Sequence, residues 1–178
     1  MLITGPPGSG KTTIAREIAQ RFPKSIHIQV DHLREMMVNG IKLPDNDQTE
    51  ESNQQFQLAR STAIYMAQLY AEQNMFVIID DLCVPEEFAA QYTMLFEDPT
   101  VERILLLPTA EALIERLRKR CGALDEILIE CVPWLYGFLE PMPKDSWIVL
   151  DSRDWTVEQT VAKVLACIGV SPGADGRA

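Results

Sequence analysis

At 178 residues, 47% apolar and 24% charged, the chain has the size and composition of one globular domain with its own core, which excludes wholesale disorder, and no second domain is expected. Its 26 acidic against 16 basic side chains leave a net charge of −10 and a pI near 4.6, so nucleic acid and anionic membrane are not expected partners. The longest apolar runs, such as residues 75–79 and 104–108, are too short to cross a bilayer. With no basic region ahead of an apolar leader, a cytoplasmic location is expected. Cys83, Cys121, Cys131 and Cys167 form no C-x-x-C pair and read as reduced packing residues.

The chain starts on an apolar strand, Met1 to Thr4, that runs into Gly5-Pro6-Pro7-Gly8-Ser9-Gly10-Lys11-Thr12. This stretch fits G-x-x-x-x-G-K-[ST], and the helical pattern of residues 12–21 follows directly, the context a phosphate-binding loop requires. Backbone N–H groups at the positive end of a helix solvate phosphate without a buried counter-charge. Lys11 reaches the β and γ phosphates as a mobile charge, and the Thr12 hydroxyl is a ligand for Mg²⁺ beside water and phosphate oxygens.

Ile14, Ala15, Ile18, Ala19 and Phe22 form the inward stripe of that first helix, and Pro23 stops it. Residues 25–30 alternate as a second strand ending on Asp31, with His27 read as a half-exposed strand residue rather than a ligand. Residues 39–51 read as a mobile connection, and residues 51–73 as a long helix with Phe56, Ala59, Ala63, Met66 and Tyr70 facing the core. The unbroken apolar run at 75–79, ending on Asp80-Asp81, is the pattern of a parallel strand buried on both faces. A helix over 85–96, a strand over 103–107 and a helix from Thr109 with acids early and Arg116 to Arg120 late come next. Residues 121–143 mix helical apolar spacing with Pro133, Gly137, Pro141 and Pro143. Residues 147–150 are the fifth strand, and Thr156 with Gln159 forms a capping box for a last helix that Gly169 stops. Residues 171–178 read as a frayed tail. Strands alternating with helices give an α/β domain with a parallel sheet, whose strand C-termini line the ligand crevice.

Three groups beyond the loop carry chemistry. Asp80 closes a strand some seventy residues after the loop, where a carboxylate positions Mg²⁺; a helix cap is the other reading of this acidic pair, more so for Asp81. Asp31 and Arg34 share one face if a helix starts at Asp31. A carboxylate there takes the proton from an attacking hydroxyl while the guanidinium orients the acceptor. An N-cap with a solvated arginine fits the same spacing. Arg116 and Arg120, at i and i+4, either swing onto a nucleotide or only complement the helix dipole.

Phosphate loop, strand-end Asp31, Asp80-Asp81 and Arg116-Leu117-x-x-Arg120 together resemble the small-molecule P-loop kinases, a group that includes gluconate kinase, shikimate kinase, adenylylsulfate kinase and chloramphenicol phosphotransferase. Val30-Asp31-His32-Leu33-Arg34 is similar to the acceptor-activating segment of chloramphenicol phosphotransferase, and its D-x-x-R spacing resembles that of polynucleotide kinases. The resemblance spans residues 1 to about 170. It implies a three-layer α/β/α fold with a five-stranded parallel sheet in the order 2-3-1-4-5 and a helical lid at about 121–143. It also implies ATP bound through Gly5, Pro7, Gly8, Ser9, Gly10, Lys11, Thr12, Thr13, Arg116 and Arg120, with Mg²⁺ on Thr12 and Asp80. Catalysis then falls to Asp31, Lys11 and Arg34, with a small-molecule hydroxyl as acceptor. A 5′-hydroxyl nucleic acid kinase and a partner-driven ATPase switch are the alternatives.

Overall fold

The computed structural model describes residues 1–42, 49–82, 89–122, 124–142 and 146–170. The tail at 171–178, the start of the helix placed at 85 and parts of the 39–51 and 121–143 segments lie outside these residues. Five strands, β1 (Leu2–Thr4), β2 (Ser25–Gln29), β3 (Phe76–Asp80), β4 (Arg103–Leu106) and β5 (Ile148–Leu150), form one sheet in the order β2-β3-β1-β4-β5. Every pairing is parallel. Around it lie α1 (Lys11–Ala19), α2 (Val30–Glu35), α3 (Glu50–Ala71), α4 (Thr93–Glu97), α5 (Ala110–Arg120), α6 (Asp125–Leu139) and α7 (Val157–Cys167). The expected fold and strand order are both met. Among the described residues, no helix is long and apolar enough to cross a membrane.

Side chains alternate across a strand, so consecutive apolar residues feed two cores. Ile3, Ile78, Ile104 and Leu106 pack under α1 and α7 with Ile14, Ile18, Val161 and Val164. Leu2, Ile28, Ile79 and Leu105 pack on the opposite face with Ala59, Ala63, Leu135 and Leu139 of α3 and α6. This is why the central strands β1, β3 and β4 read as apolar runs, buried on both faces, while the edge strand β2 alternates. The capping box at Thr156 and Gln159 is present.

Local differences from the sequence reading have physical causes. The second strand stops at Gln29, because fully buried Val30 turns straight into α2 and leaves Asp31 in the first turn of that helix. On α3 the inward line steps through Ser52, Gln55, Ala59, Ala63, Ile64 and Ala67, and this phase leaves Tyr70 exposed. Residues 125–139 form one continuous helix with Pro133, an exposed residue, inside it. The C-terminal half of α6 is anchored in the core through Leu135 and Leu139.

Asp81 is buried, and its Oδ2 accepts hydrogen bonds from Arg60 Nε at 2.6 Å and the Tyr92 hydroxyl at 2.9 Å. Burial pushes the Asp81 carboxyl up, opposed by the Arg60 charge and both hydrogen bonds. Arg60 also donates to Gln91 and to the Leu82 carbonyl, tying α3 to the segment after β3. Removing one member of such a pair strands a buried charge, whereas replacing both by apolar groups is close to neutral. Arg60→Met is expected to lower unfolding free energy by about 3–5 kcal/mol at neutral pH in denaturant melts. Arg60→Met combined with Asp81→Leu is expected to regain most of that loss, and equal losses would show that the pair contributes no coupling.

Candidate active site

The turn between β1 and α1 is shaped by positions where no side chain fits. A Cβ on Gly5 would lie 2.4 Å from the Leu106 carbonyl oxygen of β4, so the loop rests directly on the neighbouring strand. Gly8 has φ +85°, and its Cβ would lie 2.9 Å from Leu117 of α5. Ser9 N–H bonds the Pro6 carbonyl at 3.0 Å and closes the turn, and Gly10, in the left-handed region, opens α1. The α1 N-terminus has no side-chain cap and no acid in its first turn. Its leading N–H groups therefore lack the partner that most helices supply from within. The Ser9 hydroxyl is buried with no hydrogen-bond partner, Lys11 and Thr12 are half-buried, and Thr13 is exposed. An uncompensated positive helix end lined by backbone amides is an anion site.

Arg116 of α5 fastens one flank of this loop. Its guanidinium donates to the Ser9 carbonyl at 3.3 Å, to the Ser152 carbonyl at 2.6 Å and to the Arg153 carbonyl at 3.3 Å, joining the loop to the β5–α7 connection. Between them lies a cavity of about 350 Å³ whose walls include Ser9, Thr13, Arg116, Ser152, Trp155 and Thr160. A second, larger hollow of about 880 Å³ runs along the start of α3, but its walls, Thr49, Glu50, Glu51, Asn53, Gln54 and Gln57, offer no basic group to a phosphate. Arg120, one turn on from Arg116, is not brought to the loop. It pairs with Asp125 of α6, whose carboxylate also accepts from Gly122 N–H at 2.6 Å and is held below the usual carboxylate range chiefly by the Arg120 hydrogen bond.

The other flank is the row of strand ends. Asp80 pairs in register with Ile3 of β1 and Gln29 of β2, which puts its carboxylate beside the strand that leads into the loop. Asp80 is buried; Oδ2 lies 3.3 Å from His27 Nε2, and Oδ1 has no partner. Asp81 has its Oδ2 taken by Arg60 and Tyr92, so the two adjacent acids are not equivalent. Asp31 is exposed in the first turn of α2; the N-cap of that helix is Gln29, and no side-chain cap is present. Arg34 is 5% exposed, which removes the solvated-face reading. Its guanidinium carbon lies 3.6 Å from the centre of the Phe56 ring and its Nη2 donates to the Lys42 carbonyl, while Nε has no partner. Burial lowers the Arg34 pKa, and Asp31 is the largest charge opposing that shift.

Sequence reasoning missed His27, Ser152 and Trp155. The alternation of Ser25, His27 and Gln29 mimics a half-exposed strand, yet both faces of this sheet are covered and the His27 side chain is only 8% exposed. Ser152 and Trp155 sit in a connection without a motif and acquire a site only through contact with Arg116.

Among families of known proteins, the model described as "AAA domain" matches residues 1–127. No curated protein matches the chain. Among solved structures, a sugar kinase from Janibacter sp. HTCC2649 superposes with a TM-score of 0.69 at 25% identity, over 99% of this chain and 97% of that one. A shikimate kinase from Bacteroides thetaiotaomicron gives 0.65 at 19% identity, over 95% and 97%. A gluconokinase from Sinorhizobium meliloti 1021 gives 0.61 at 18% identity, over 94% and 90%. The last two share the fold at identities too low to carry more, and together the matches agree with the resemblance to P-loop small-molecule kinases.

Gly8 tests how far the loop depends on its shape. Gly8→Ala meets both a left-handed backbone and the Leu117 side chain, a cost of about 1–3 kcal/mol that the loop can relieve only by shifting. ATP affinity measured by calorimetry is expected to fall at least tenfold while circular dichroism stays unchanged, and wild-type affinity would mean that the amides of this turn do not hold the phosphates.

Proposed function

The chain belongs to the AAA domain family, and on that footing we propose that it is a kinase that transfers the γ-phosphoryl group of ATP to a hydroxyl of a small polar acceptor. The observation that carries this reading is the carboxylate of Asp31 in the first turn of α2, exposed and not used to cap that helix, just past the C-terminal end of β2 in a sheet whose β1 runs into a phosphate loop with an uncapped helix end. A base placed there takes the proton from the attacking hydroxyl, typically worth 10² to 10⁴ in rate. The loop amides and Lys11 hold the phosphates, and Arg116, already on the cavity wall, steadies the nucleotide side. Arg120 would join it by leaving Asp125. Arg34 Nε–H, buried without a partner among the described residues, is a donor for a polar group of the acceptor.

The residues present fit Mg²⁺. Thr12 and Asp80 offer an all-oxygen donor set, and Asp80 Oδ1 is buried without a partner. No group of three or more His, Cys, Asp or Glu side chains forms a protein cage among the described residues, in keeping with an ion that completes its shell from phosphate and water. When bound there, Mg²⁺ neutralises charge on the β and γ phosphate oxygens. Residues 1–170 act in this reading as one kinase unit.

The names of the similar structures, a sugar kinase, a shikimate kinase and a gluconokinase, support a small acceptor. The net charge of −10 argues against a nucleic acid acceptor. A switch ATPase needs a water-positioning acid beside the metal carboxylate, and the neighbour here, Asp81, is committed to Arg60 and Tyr92. Screening ATP consumption against sugars, antibiotics, nucleosides and 5′-hydroxyl oligonucleotides identifies the acceptor. Asp31→Ala is expected to lower transfer by 10² or more with ATP affinity within about threefold of wild type; a parallel fall in both would assign Asp31 a structural role instead.

A further inference from the structure

His27 is a buried, hydrogen-bonding side chain to which the proposed chemistry gives no task. It lies on the sheet face that α1 covers, because its neighbour Ile28 packs in the core on the opposite face with Leu2 and Ile79. His27 pairs with Ile78 in register, which places Asp80 two residues on along the adjacent strand and on the same face. The contact that results, His27 Nε2 to Asp80 Oδ2 at 3.3 Å, joins side chains only 8% and 3% exposed. The other oxygen of the same carboxylate, Oδ1, is buried and unpartnered.

We propose that His27 is a positioning residue that donates from Nε2 to Asp80 Oδ2 and thereby holds Oδ1 toward the divalent cation. The inference rests on the kinase reading only in taking Asp80 as the metal-side carboxylate. A carboxylate accepts and does not donate, so the shared proton sits on Nε2. The next residue shows the contrast: Asp81 faces a guanidinium, and its charge is spent within the protein. Without His27, both oxygens of Asp80 would be buried without partners, and nothing among the described residues would choose between its orientations. Outer hydrogen bonds of this kind are typically worth 10- to 100-fold in metal affinity.

The test separates hydrogen bonding from packing. ATP binding to the full chain is measured by calorimetry without metal and across a Mg²⁺ titration for wild type, His27→Gln, which keeps a donor, and His27→Met, which fills the space without one. Expected for His27→Met are a Mg²⁺ requirement raised about tenfold or more, metal-free ATP affinity within about twofold, and a lower kcat with the acceptor KM unchanged, most of which His27→Gln restores. An unchanged metal requirement in His27→Met, or equal losses in both variants, would overturn the role. Should His27→Met not fold, the imidazole ¹⁵N spectrum of the wild-type protein decides: a proton on Nε2 supports the assignment and a proton on Nδ1 alone overturns it. Failure of the kinase reading would look different, as wild-type protein that binds Mg²⁺ and ATP together yet phosphorylates no acceptor.

Discussion

A helix end left without a partner is the constraint on which this structure turns. The first N–H groups of α1 have no side-chain cap among the described residues, and proteins rarely leave such donors unmet unless something outside the fold is to meet them. Everything nearby keeps that end open and in place. Gly5 lies against the Leu106 carbonyl, Gly8 against Leu117, and the Ser9 carbonyl is held by Arg116. These contacts come from β4 and α5, so the shape of the loop is set by the sheet and by a helix far away in sequence.

The same economy appears at the end of β3, where two adjacent aspartates have opposite fates. Strand alternation sends Asp80 toward α1 and the loop, and the chain then turns Asp81 into the layer of α3. There Asp81 meets Arg60 and Tyr92 and becomes part of the scaffold. Among the described residues, Asp80 meets only an imidazole and keeps one oxygen free. Identical side chains, one residue apart, differ in chemistry because they differ in what surrounds them.

The arginines follow the same rule. Arg116 and Arg120 share a helix face, yet one bridges three carbonyls around the loop and the other is held by Asp125 at the start of α6. Arg34 sits beside Asp31 in sequence but is stacked on Phe56, with its charge buried and Asp31 left at the surface. In each case i,i+3 or i,i+4 spacing says that two residues can share a direction, and the neighbouring element decides what each one meets.

Unbroken apolar runs ending in acids, the glycine-bearing loop and the capping box at Thr156 were legible as local patterns, because strand burial, turn geometry and helix capping are each set within a few residues. Those patterns determined an α/β domain that presents a phosphate loop. The division between Asp80 and Asp81, the burial of His27 and Arg34, and the cavity between Ser9, Arg116 and Ser152 were decided only by the tertiary structure. Each depends on which strands and helices lie next to one another, a relation between segments tens of residues apart that no local spacing encodes.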